Sequence, residues 1–117
     1  MCVIDLTYLI KISNNNQTFI KEMIESFLEC APQYLSELRA FSQEHDWANV
    51  KMTAHKLKPS ATYLGLPHLL ELILSVEEEV DNKQTPESIS QLVLQMHELC
   101  EKAYPRLQEM AEKGKFD

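Results

Sequence analysis

The chain has 117 residues, 44% of them hydrophobic, which is enough for one domain with one packed core. Its net charge of −7 argues against nucleic acid and anionic membranes as main partners, because both require basic surfaces on the protein. No apolar run approaches the roughly 18 residues of a membrane span, and the N-terminus carries no recognisable signal peptide. We therefore expect a protein of the bacterial cytoplasm that does not bind a membrane.

Apolar residues recur at intervals of three and four along most of the chain, which is the period of an amphipathic helix. A short first helix is predicted over residues 5–12 and ends in the polar run SNNNQ. A second helix is predicted over residues 17–43, with a kink but no break at Pro32, because proline removes one backbone donor. A third helix is predicted from the N-cap Asp46 to about Leu64.

Glycine and proline separate the remaining helices. Gly65 ends the third helix, since glycine adopts a left-handed conformation at little cost, and Pro67 opens the fourth. Thr85 followed by Pro86 predicts the start of a long fifth helix. Long helices with short connections predict an all-α fold, an antiparallel (up-down-up-down) four-helix bundle with a short extra N-terminal helix. We expect residues 1–117 to form this single bundle domain.

The third predicted helix carries a histidine opposite its apolar face. On a helical wheel, His55 points away from the apolar stripe of Val50, Leu57, Ala61 and Leu64. The wheel therefore predicts an exposed imidazole. The side chains within roughly 60° of it include small and basic ones. They are Ala48, Lys51, Met52, Lys58, Pro59 and Thr62.

The charge pattern along this helix also points to a site. The chain has 18 acidic residues, but none lies within residues 47–70, where Lys51, Lys56 and Lys58 occur. This predicts a local positive patch, which would suit a small dianion such as a phosphoryl group. A lone surface histidine is usually inert, however, so this helix by itself leaves a site and an ordinary solvent face as alternatives. Solvated or satisfied side chains are expected for the other histidines, His45, His68 and His97.

The stretch AHKLKPSATYLG and the residues after it resemble the signature of histidine-containing phosphotransfer (HPt) domains. In that signature, a histidine is followed by a lysine three residues later. A Leu-Gly pair, two spaced leucines and a final Glu or Gln come after them. The flanking helices also match the family's bundle in number and order. The matching positions are His55, Leu57, Lys58, Pro59, Ser60, Leu64, Gly65, Leu69, Leu72 and Glu77.

The resemblance implies a phosphorelay intermediate without kinase activity of its own. His55 would accept a phosphoryl group through Nε2 from an aspartyl phosphate on a receiver domain, and then pass it to another receiver. Lys58 would stabilise the phosphoryl oxygens, with possible help from Lys51, and Glu77 would accept a hydrogen bond from Nδ1 and orient the imidazole. The expected partners are response-regulator receiver domains, with a hybrid sensor histidine kinase as a further candidate. We expect a monomer without a cofactor, and a catalytic Mg²⁺ on the receiver.

Pro59 departs from the family pattern, which has glycine at this position. In the family, a small residue here allows the receiver to approach closely, and the implied docking face comprises Ala48, Lys51, Met52, Pro59 and Thr62. Because proline has no N–H for the carbonyl four residues earlier, we expect a local bend. The carbonyl of His55 should then turn to water or to Lys58.

Two other classes of protein remain as alternatives. A di-iron or other metal-binding bundle requires Glu-x-x-His pairs, and none occurs in the sequence. The widely spaced Cys2, Cys30 and Cys100 predict reduced thiols rather than a zinc site or disulfide framework. A helical-bundle adaptor that docks signalling partners without being phosphorylated is the second alternative, and Pro59 is its sequence support. The sequence has no glycine-rich nucleotide loop, so we expect no ATP binding and no self-phosphorylation.

Overall fold

The computed structural model describes residues 3–116, and within them the chain forms six helices and no strand. The long helices lie along a body of 42 × 23 × 21 Å. The helices are α1 (Thr7–Ile12), α2 (Gln17–Gln43), α3 (Trp47–Lys56), α4 (Lys58–Tyr63), α5 (Pro67–Asp81) and α6 (Pro86–Lys113).

The helices pack as a four-sided bundle around one core. α2 packs against α3 and α6, and α5 packs against the same two helices. Each of the four helices, one on each side of the bundle, therefore has two neighbours. Short connections make the four bundle helices α2, α3, α5 and α6 antiparallel in succession. Every side contributes to the core, for example through Leu35, Val50, Ile73 and Met96. The predicted all-α antiparallel bundle with a short N-terminal helix is confirmed.

Side-chain caps define where three of the helices begin. Asn16, Asp46 and Thr85 each accept a hydrogen bond from the backbone N–H three residues later, which satisfies a donor that the first turn leaves open. The starts predicted at Asp46 and Thr85 are therefore confirmed. α2 continues unbroken through Pro32, also as predicted.

The third predicted helix is two helices, because α3 and α4 are separated at Leu57. Pro59 explains the break, since it cannot donate to the carbonyl of His55. The local bend expected at Pro59 therefore appears as a break, and the His55 carbonyl is not left to water. Backbone N–H groups that cap α3 donate to the carbonyls of Ala54 and His55 instead. Leu57 itself keeps helical angles, φ −84° and ψ −12°, so α4 follows α3 with nearly the same rotational phase.

The turn between α4 and α5 holds the N-terminal segment against the bundle. Gly65 has a φ of +61°, and its carbonyl accepts a hydrogen bond of 2.8 Å from the backbone N–H of Asp5. A β-carbon on Gly65 would collide with the Asp5 backbone. Glycine is therefore required at position 65, both by the positive φ and by the close approach of the Asp5 backbone.

Candidate functional site

His55 lies in the last turn of α3 with its side chain 63% exposed. The apolar residues on the opposite side of α3 and α4, among them Val50, Leu57 and Leu64, are buried. Nδ1 of the His55 ring is 3.1 Å from Oε2 of Glu77 on α5. No hydrogen bond from residues 3–116 reaches the other ring nitrogen, Nε2, so that edge of the imidazole is open to an incoming group.

Glu77 joins the histidine to a lysine. Its side chain is only 16% exposed, and its second oxygen, Oε1, lies 2.8 Å from Nζ of Lys58. Oε1 is buried, and the Lys58 ammonium is its ion-pair partner within the described residues. Partial burial by itself would raise the pKa of the Glu77 carboxyl. The contacts and charges of Lys58 and His55 outweigh this effect, so that its pKa lies below the ordinary value.

The other two lysines of the acid-free stretch are engaged elsewhere. Lys51 pairs with Asp81 at the end of α5, with Nζ 2.6 Å from Oδ1. Lys56 lies over the ring of Tyr34 on α2, 5.7 Å from its centroid, in a cation–π contact. The positive patch predicted from α3 alone is therefore partly neutralised by carboxylates from another helix. Helix α5 brings a carboxylate to Lys51 and another to Lys58, which a count of acids along α3 alone could not include.

The side chains predicted around His55 lie on the surface. Ala48, Met52, Pro59 and Thr62 are exposed, and Lys51 is half-buried beside its carboxylate partner. Met52 is 58% exposed, which is unusually open for a large apolar side chain. Together these residues form the surface predicted to surround the histidine.

The remaining histidines and thiols lie apart from this arrangement. The ring of His45 stacks on Trp47 with centroids 5.2 Å apart, and His68 and His97 each face a glutamate of their own helix. Cys30 is exposed and Cys100 is buried, and neither forms a disulfide within residues 3–116, whereas Cys2 lies outside the described part. Nowhere in residues 3–116 do three His, Cys, Asp or Glu side chains converge as metal ligands would.

The sequence that contains His55, Glu77 and Lys58 matches a known protein family. The family described as "Hpt domain" matches residues 22–112, which include His55, Lys58 and Glu77. The chain belongs to the Hpt domain family. An HPt domain acts in phosphotransfer within two-component signalling, and this is the role of the chain at that level. Neither the curated proteins nor the solved structures gave a match. Within residues 3–116, no helix of this HPt domain combines the length and hydropathy that a membrane crossing requires.

Sequence reasoning missed two features that involve residues predicted to surround the histidine, namely Lys51 and Thr62. Asp81, the partner of Lys51, lies outside the family signature and looks in the sequence like one more surface acid. Val3 and Tyr8 line a small apolar hollow with Thr62 and come from the N-terminal segment before the matched region. No sequence signal marks either feature, because each depends on which helices become neighbours.

Proposed function

We propose that His55 accepts a phosphoryl group from a receiver-domain aspartate and passes it to another receiver. The observation that carries the proposal is the contact of Nδ1 with Glu77 on an otherwise exposed ring. An ionised carboxylate can only accept a hydrogen bond, so a neutral imidazole in this contact bears its proton on Nδ1. The lone pair then belongs to Nε2, the edge that faces outward.

The transfer step is a displacement at phosphorus. The lone pair of Nε2 forms the N–P bond while the bond between phosphorus and the aspartyl oxygen breaks, and its electron pair returns to the receiver carboxylate. The ring proton stays on Nδ1, against the Glu77 carboxylate. Transfer to a second receiver reverses the same step with another aspartate. Positioning and charge neutralisation supply most of the catalysis in such reactions.

The side chains around His55 are proposed to bind the partner. Lys58 shares the Glu77 carboxylate with the ring and would neutralise the phosphoryl oxygens. A receiver would approach over Ala48, Lys51, Met52, Pro59 and Thr62. The exposed Met52 supports this direction of approach, since methionine is enriched at protein interfaces. The catalytic Mg²⁺ is proposed to reside on the receiver.

The proposed partners are therefore receiver domains of response regulators, and a hybrid sensor histidine kinase could supply the phosphoryl group through its own receiver. In this proposal the chain acts as a monomer in the cytoplasm, requires no cofactor and does not use ATP.

The test is direct transfer of label. Receiver domains charged with radiolabelled acetyl phosphate would be freed of excess reagent and mixed with the chain. The wild type should acquire acid-labile, base-stable label, and His55→Gln should acquire none while keeping its melting curve, because the side chain is exposed. Label retained by His55→Gln would contradict the assignment. Binding of receivers without any labelling of the wild type would instead favour the adaptor function.

A further inference from the structure

Within residues 3–116, Lys58 makes no contact with the Nε2 edge of His55, where the phosphoryl group would form. Its ammonium is paired with Oε1 of Glu77, and the same carboxylate holds the Nδ1 edge of His55 through Oε2. The proposed N–P bond forms at Nε2, on the other edge of the ring. Lys58 therefore has to change partners before it can neutralise the phosphoryl oxygens.

We propose that Glu77 competes with the phosphoryl group for Lys58, and that this competition limits how strongly the chain retains phosphate. This inference rests on the proposed function of His55. It gives Glu77 a second role as a positioning residue for the lysine, in addition to holding the imidazole. In the unphosphorylated chain, Glu77 contacts both His55 and Lys58. Phosphorylation has to break the contact between Glu77 and Lys58.

Burial of the carboxylate makes breaking this contact costly. Oε1 is buried and has no hydrogen bond within the described residues, so Lys58 provides its compensation. If Lys58 moves to the phosphoryl group, a buried carboxylate oxygen loses its counter-charge, which proteins tolerate poorly. Loading is therefore opposed and release is favoured. A relay intermediate benefits from this balance, because it has to give up the group that it accepts.

The substitution Glu77→Gln separates the two roles of the residue. The amide oxygen of glutamine can still accept a hydrogen bond from Nδ1–H, but the side chain has no charge with which to hold Lys58. Lys58→Ala removes the lysine, and Lys58→Met does so while keeping most of its apolar length. The two positions together form a double-mutant cycle, which isolates the coupling between them from any separate effect on the ring.

The measured quantity is the equilibrium partition of radiolabel between the chain and an isolated receiver domain charged with acetyl phosphate. Lys58→Ala should reduce retention of label by the chain in both backgrounds. The reduction should be about fivefold larger in the Glu77→Gln background, which is the upper range for a partly exposed ion pair. Lys58→Met should give the same ratio. Equal reductions would show that the residues act independently, and a smaller reduction would show that Glu77 assists Lys58; either result overturns the inference.

A neighbouring acid provides the matched control. Glu78 is exposed beside Glu77 on α5, and Glu78→Gln changes the net charge by the same amount without touching Lys58. The effects of Glu78→Gln and Lys58→Ala on label retention should be additive. If this pair showed the same coupling as Glu77→Gln with Lys58→Ala, the coupling would be a general effect of charge, and the inference would be overturned. A wild-type chain that takes no label overturns the proposed function and the inference with it. A labelled chain with an additive Glu77 cycle overturns the inference alone.

Discussion

Leu57 joins α3 to α4 two residues after the histidine, and replacing it by alanine tests whether the break in the helix is a packed element of the core. Its side chain is 1% exposed. Leu57→Ala removes three carbon atoms from this buried site and leaves a cavity that the surrounding helices fill only in part. His55 itself is not altered, so the substitution tests the support of the site rather than its chemistry.

The expected loss in the free energy of unfolding is about 3 kcal/mol, within the range of about 2–5 kcal/mol for buried leucines. The unfolding entropy of about 2.1 cal/mol/K per residue gives about 0.25 kcal/mol/K for 117 residues. A loss of about 3 kcal/mol therefore corresponds to a melting temperature lowered by roughly 12 °C.

The assay is thermal unfolding followed by far-UV circular dichroism, with urea unfolding as a check on the free energy. Leu74→Ala on α5 is the matched control, because the chemical change is identical and Leu74 is 48% exposed. The control should lower the melting temperature by less than roughly 4 °C, which corresponds to about 1 kcal/mol. Equal shifts for the two variants would refute the packing of Leu57 and the orientation of α3 that depends on it.

Three further predictions concern the surroundings of His55. Gly65→Ala should cost more than about 1 kcal/mol, because its β-carbon meets the Asp5 backbone, whereas Gly114→Ala, at a similar positive φ but in open space, should cost less; equal melting shifts would contradict the collision. Pro59→Gly should keep phosphoryl transfer and Pro59→Leu should slow it without lowering the melting temperature; transfer by Pro59→Leu at the wild-type rate would mean that the receiver docks elsewhere. The lowered pKa of the Glu77 carboxyl stabilises the fold at neutral pH, and this stabilisation should disappear as the pH falls below the ordinary value of 4.5. The stability of the wild type relative to Glu77→Gln should therefore decrease over that range in urea unfolding, and a constant difference would count against the ion pair.

The periodic spacing of apolar residues was sufficient to predict the bundle and the outward direction of His55. The wheel was drawn through one continuous helix, yet Leu57 and Leu64 are buried as it predicts, even though the helix breaks. The reason is that Leu57 retains helical backbone angles, so the break changes the hydrogen bonds more than the rotational phase. Pro59 indicated the bend, but how the free carbonyl would be capped depends on backbone geometry that residue types do not specify.

Charge contacts across the bundle were harder to predict. Glu77 was connected to His55 only through the spacing of the family signature, and its ion pair with Lys58 was not foreseen. Asp81 and Lys51 are separated by two helix breaks, and their pairing depends on α5 packing beside α3. Local sequence patterns describe the charge of one helix, whereas side chains from α3, α4 and α5 together set the electrostatic environment of the histidine.

The hydrogen bond between Asp5 and Gly65 has a consequence for the order of folding. Helical hairpins such as α5–α6 join segments that are close in sequence and can form early, whereas the closure at Gly65 brings together segments that are distant in sequence and carries a larger loop-closure entropy. It also requires the α4–α5 turn to exist already. We therefore expect the N-terminal segment to dock only after that turn has formed and, because it lies near the chain end, to detach early under denaturant. The amide of Asp5 should then exchange its proton faster than the core amides of α2 and α6.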